Sequence, residues 1–142
     1  MIEIPPAVAA QMQNHAFAWY PGECCGLLFA RTGSDVATRA VGMDNLQDKL
    51  HALDPAEHPR TARNGFQLNA RKMNLLIEEA MTHSERLLAI FHSHIDCAAY
   101  FSQEDKDMAA PPPLRQPNDP SLWHVVMAVS YTHLTLPTNR EV

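Results

Sequence analysis

Leu87-Leu88-Ala89-Ile90-Phe91-His92-Ser93-His94 is the stretch on which the fold turns. Five consecutive apolar residues read as a strand buried on both faces. That strand runs straight into two imidazoles. In extended backbone, residues i and i+2 share a face, so His92 and His94 can chelate one ion together. Neutral imidazole is a good ligand for zinc-like ions. Further on stands Ser102-Gln103-Glu104-Asp105, where Ser102 opens a predicted helix over about 103–110. Asp105, in its first turn, could fold back to give a third bond. Two histidines, one carboxylate and a position left to water are how catalytic zinc is usually held. A blander reading competes. Ser-x-x-Asp also fits a capping box, in which the carboxyl group only satisfies backbone N–H groups.

Working outward, Met73, Leu76, Ile77, Ala80 and Met81 form an apolar stripe at helical spacing. It predicts a helix over 70–83, with Asn69 as N-cap. Gly65–Leu68 suggests a brief strand. Residues 43–64 lack periodicity and read as a long loop of the functional or mobile kind. Cys24–Ala30 predicts a second strand buried on both faces. The turn Thr32-Gly33-Ser34-Asp35 joins it to a partner strand over 36–42. Ile4, Val8, Met12, Ala16 and Trp19 predict a first helix over 5–18, ended by Pro21-Gly22. Downstream, Pro111-Pro112-Pro113 opens a Pro-rich loop over 111–120, and Leu122–Ser130 reads as a last strand. Helices alternating with mostly buried strands predict an α/β or mixed α+β domain with a central sheet.

With 142 residues the chain is long enough for one core. Its apolar share of 46% and charged share of 19% are those of an ordinary globular domain. A net charge of −5 with scattered basic residues argues against nucleic-acid binding, which needs clustered Lys and Arg. The N-terminus has no basic start and no continuous apolar segment, so no signal peptide is expected. Three cysteines, two of them adjacent, suit a reducing cytoplasm better than a disulfide framework. Cys24 and Cys25 are read as buried strand residues. Cys97 lies near the candidate ligands, whereas His15, His51, His58 and His83 lack partners at ligand spacing. His124 is read as a satisfied strand histidine.

Pro21-Gly22-Glu23-Cys24-Cys25-Gly26-Leu27-Leu28, then Phe91-His92-Ser93-His94, then Ser102-Gln103-Glu104-Asp105 resemble the JAMM (MPN+) metallopeptidases. The similarity is greatest to short prokaryotic JAB-domain proteins acting on ubiquitin-like sulfur carriers, and it covers about residues 3–130. The resemblance implies a cytidine-deaminase-like mixed sheet flanked by helices. It implies Zn²⁺ on His92, His94 and Asp105, Glu23 as general base, and Ser102 as a donor to the oxyanion. It further implies a peptidase or isopeptidase cutting an amide bond after the C-terminal tail of a ubiquitin-like or sulfur-carrier protein. Two alternatives stay open: a non-catalytic MPN-type scaffold for protein partners, and a hydrolase of small amides or amino-acid conjugates. Ile95 and Phe101 stand where the family usually has prolines, which predicts an altered substrate fit. The expected domain is 1–130, shortened, followed by a non-family tail over 131–142 of the kind that read-through yields.

Overall fold

The computed structural model describes residues 1–97, 102–109 and 121–130, together with the backbone of 134–135. The expected loop 111–120 and most of the expected tail lie outside these residues. A five-stranded mixed sheet organises the chain, in the order β2-β1-β3-β4-β5. The strands are β1 (Cys25–Arg31), β2 (Ala37–Met43), β3 (Glu85–Ile95), β4 (Trp123–Val129) and β5 (Leu134–Thr135). β3 lies between antiparallel β1 and parallel β4, so the strand bearing both histidines is central. It is longer than the apolar run alone suggests, and the histidines are strand residues, opposite Val126 and Ala128 of β4.

Helices cover both faces. On one, α1 (Pro6–Trp19) buries Val8, Met12 and Ala16 against Leu28, Leu88, Phe91 and Val125. On the other, α3 (Ala70–Thr82) packs Met73, Leu76, Ile77 and Ala80 against Leu27, Phe29 and Ile90. Neighbouring strand residues thus face opposite layers, as the pleat requires. β1 is buried along almost its whole length, as a strand covered on both sides must be. Phe29 pairs with Leu87 and Leu28 with Ala89, so Leu88 is an extra, bulged residue in β3. Asn69 caps α3 by accepting from the Lys72 amide at 3.0 Å.

Three expectations need correction. The segment 43–64 is not all loop, because Gln47–Leu53 forms α2. Gly65–Leu68 is not a strand; its Gln67 carbonyl bonds the Leu46 amide, and Asn45 takes the Gln67 amide. Met81 leaves the apolar stripe and is 68% exposed near the end of α3.

Candidate metal centre

β3 carries His92 and His94 onto the face shared with α3, while Ser93 points the other way. The Ser93 hydroxyl accepts from the Cys24 amide at 2.7 Å, and the Ser93 amide donates to the Cys24 carbonyl at 3.1 Å. This pair of bonds fixes the backbone next to Glu23. The residue between the histidines is therefore a fastener for the start of β1, a role the sequence reading did not assign.

α4 (Gln103–Ala109) brings in the carboxyl group. The Ser102 hydroxyl accepts from the Asp105 amide at 3.1 Å, and the Ser102 amide donates to Asp105 Oδ2 at 3.0 Å. The capping box is real. Yet the same Oδ2 lies 3.1 Å from His92 Nε2 and 3.4 Å from His94 Nε2, and the two ring nitrogens are 3.3 Å apart. The two readings of Asp105 are thus compatible. Ligand atoms about 2.0–2.1 Å from one tetrahedral ion sit roughly 3.3–3.4 Å from each other. The three atoms already have that spacing, so the donor set fits a divalent cation. Glu23, His92 and His94 also form a buried group whose donor atoms lie within 4.8 Å of one another.

Phe66 stacks on the His92 ring, with centroids 4.4 Å apart and planes inclined by 19°. Glu23 stands just before β1, its amide bonded to the Ala62 carbonyl and its carbonyl to Asn45 Nδ2 at 2.9 Å. A cleft of about 580 Å³ opens onto Glu23, His94, Ser102 and Asp105. Arg60 pairs with Glu104 there, linking the segment before Gly65 to α4.

The sequence model for prokaryotic homologs of the JAB domain matches residues 5–138. The chain belongs to the prokaryotic JAB family. Solved structures with the same fold include a Desulfitobacterium hafniense protein at 20% identity and TM-score 0.65, covering 100% of this chain and 95% of that one. A Salinibacter ruber protein matches at 19% and 0.60, covering 99% and 89%. A JAB1/MPN domain protein from Archaeoglobus fulgidus matches at 13% and 0.51, covering 98% and 89%. At these identities the likeness is one of fold. No curated protein sequence matches the chain. No described helix of this JAB protein is long and apolar enough to cross a membrane.

Electrostatics of the JAB centre suit a cation. Burial drives the His92 imidazole towards its neutral form, despite the opposing hydrogen bond and charge of Asp105. Burial works against the Asp105 carboxylate, but hydrogen bonds from His92 and His94 outweigh it and hold the group well below the usual carboxylate range. A neutral ring and an ionised carboxylate are the states a metal requires. Glu23 differs: burial pushes its carboxyl up to about 7, with Asp105 adding to the rise and His94 and Arg60 opposing it. Two carboxyl groups of one site are thereby driven in opposite directions. Cys24 and Cys25, pushed by burial to about 11 and 12, remain thiols at neutral pH and are unsuited to nucleophilic work.

Proposed function

We propose that this JAB protein is a zinc-dependent metallopeptidase that hydrolyses an amide bond after the C-terminal tail of a ubiquitin-like or sulfur-carrier protein. One observation supports it above all. Three potential ligand atoms stand 3.1–3.4 Å apart, and two of their residues, His94 and Asp105, line a cleft together with a buried carboxyl group whose pKa is raised to about 7.

His92, His94 and Asp105 would hold the ion, and Glu23 and Ser102 would act beside it. Bound there, zinc supplies Lewis acidity, polarising the scissile carbonyl and acidifying a water molecule. Glu23 removes that water's proton and returns it to the departing nitrogen. A group near pH 7 is suited to move a proton in both directions. Ser102 uses its oxygen to accept from the Asp105 amide, which leaves the hydroxyl proton to donate to the oxyanion. Such a donor is typically worth about 3 kcal/mol in the transition state. The extended tail of a carrier would lie in the cleft beside residues 63–67, where non-strand backbone lines the wall.

Metal analysis of the purified protein, followed by cleavage of a Gly-Gly-terminated carrier conjugate with and without chelator, tests the reading. Stoichiometric zinc and chelator-sensitive release of the tail are expected. Stoichiometric zinc without cleavage would favour the scaffold alternative, and turnover of small amides alone would displace the carrier.

A further inference from the structure

Asn45 lies in the connection between β2 and α2 and is 5% exposed. Every hydrogen-bonding position of its amide is used. Nδ2 donates to the Glu23 carbonyl at 2.9 Å and the Gly65 carbonyl at 3.0 Å. Oδ1 accepts from the amides of Gln47 at 3.0 Å and Gln67 at 3.1 Å. The partners fix the orientation of the group, because a flipped amide would set its NH₂ against two N–H donors.

The bonds to Gly65 and Gln67 straddle Phe66, whose ring lies against His92. A third bond holds the backbone of Glu23. One buried side chain therefore joins the backbone carrying the acid–base group to the aromatic wall that confines a histidine of the metal centre. The first residue of α2 is gathered into the same network through the Gln47 amide.

We propose that Asn45 is a positioning residue of the metal centre, setting the place of Glu23 and, through Phe66, the attitude of the His92 ring. It touches neither metal nor substrate and acts only through these two. The half that concerns Glu23 rests on the hydrolase reading; the half that concerns His92 does not. Groups that orient metal ligands commonly change affinity by 10–100-fold when removed.

Asn45→Asp separates the two sides of the amide. It keeps the acceptor for Gln47 and Gln67 but sets an oxygen against the Glu23 and Gly65 carbonyls. Asn69→Ala, which removes the α3 cap, serves as a destabilised control away from the site. Each protein is compared for zinc affinity by chelator competition, for the visible absorption of its cobalt(II) form, and for kcat and KM on the Gly-Gly conjugate. Asn45→Asp should bind zinc about tenfold more weakly, with a shifted cobalt spectrum and kcat down tenfold at nearly unchanged KM. Asn69→Ala should lose thermal stability alone. Should Asn45→Asp fail to fold, Phe66→Leu decides the His92 half: weaker zinc binding and a shifted spectrum support it.

Wild-type affinity and spectrum in the folded Asn45→Asp variant, or in Phe66→Leu, would overturn the proposal. So would a wild-type protein that binds no zinc. A wild-type protein that binds zinc but cleaves no conjugate would sink the hydrolase reading only, since affinity and spectrum still decide the role of Asn45 at His92.

Discussion

At the scale of single residues, Asp105 and Glu23 are two carboxyl groups in one site with opposite electrostatic fates. Asp105→Ala removes both a proposed ligand atom and half of a capping box, so stoichiometric zinc should be lost together with about 1 kcal/mol of stability. Zinc content left intact in that variant would exclude Asp105 from the ligand set. Glu23→Gln should keep zinc while turnover falls at least about 100-fold; retained activity would remove Glu23 from the mechanism. The same substitution carries a pH signature in the metal-free protein. Burial raises the Glu23 carboxyl from 4.5 to about 7 in the folded state. Its contribution to stability is therefore fully present below pH 4.5 and is lost as pH rises through 7. Asp105 contributes with the opposite sign, but only at more acid pH, because its folded value is lowered. His92, held neutral by burial, contributes with the opposite sign between pH 5 and 8 in both proteins. Urea unfolding at these two values should therefore show a change less favourable to folding at the higher pH in wild type than in Glu23→Gln. Equal slopes would contradict the assignment. Ser102→Ala should slow cleavage about 100-fold or more with metal retained.

Among the elements, β1 is the most constrained. A Cβ built on Gly26 would lie 2.5 Å from Phe91 Cζ and 2.5 Å from the Val41 carbonyl oxygen. One obstacle is backbone of the partner strand, so the strain cannot be relieved by a side chain alone. Gly26→Ala should cost about 1–3 kcal/mol in urea unfolding, and a change under about 0.5 kcal/mol would mean that β1 and β2 separate more easily than their pairing implies. Elements whose stability comes from apolar periodicity were legible in the sequence. The stripes of α1 and α3 and the runs of β1 and β3 each announce a buried face. α2 was not, because Gln47 is its buried residue and side chain to backbone bonds fasten it to its surroundings. Asp48 takes the Ala62 amide at 2.7 Å, and His51 bonds the His58 carbonyl at 2.8 Å. Such bonds follow no fixed spacing, joining residues from 2 to 14 apart, and leave no periodic trace. The candidate site divides in the same way. His92, His94, Ser102 and Asp105 stand at short spacings that can be read directly, whereas Glu23 emerged only through a family resemblance. Phe66, Ser93 and Asn45 act through contacts that exist only after folding.

For the whole molecule, the centre ties together the central strand, the chain leading into β1 and a helix from beyond β3. An ion bound there should therefore stabilise the entire domain. At a free concentration one hundred times its dissociation constant it adds about 2.7 kcal/mol, seen as a rise in melting temperature. His92→Ala should show no such rise, and an equal gain in that variant would place the ion elsewhere. Thiol accounting gives an independent check on the packing. Cys97 is exposed, whereas Cys24 and Cys25 are buried. The native protein should react with one equivalent of a thiol reagent near pH 8, and with three after unfolding. The bulge at Leu88 sets a stricter condition on how such a chain can change. Loss of Leu88 itself would only restore a regular ladder, because Leu87 already packs with the α3 side and Ala89 with the α1 side. Removing one residue from 89–91, or adding one there, would instead reverse the facing of everything on one side of the alteration. Either the histidines would turn towards α1, or the upstream half of β3 would withdraw its apolar side chains from α3. Apart from loss of the bulged residue, natural or designed variation in the length of this segment should therefore come in steps of two, or be balanced by a second change that restores the parity.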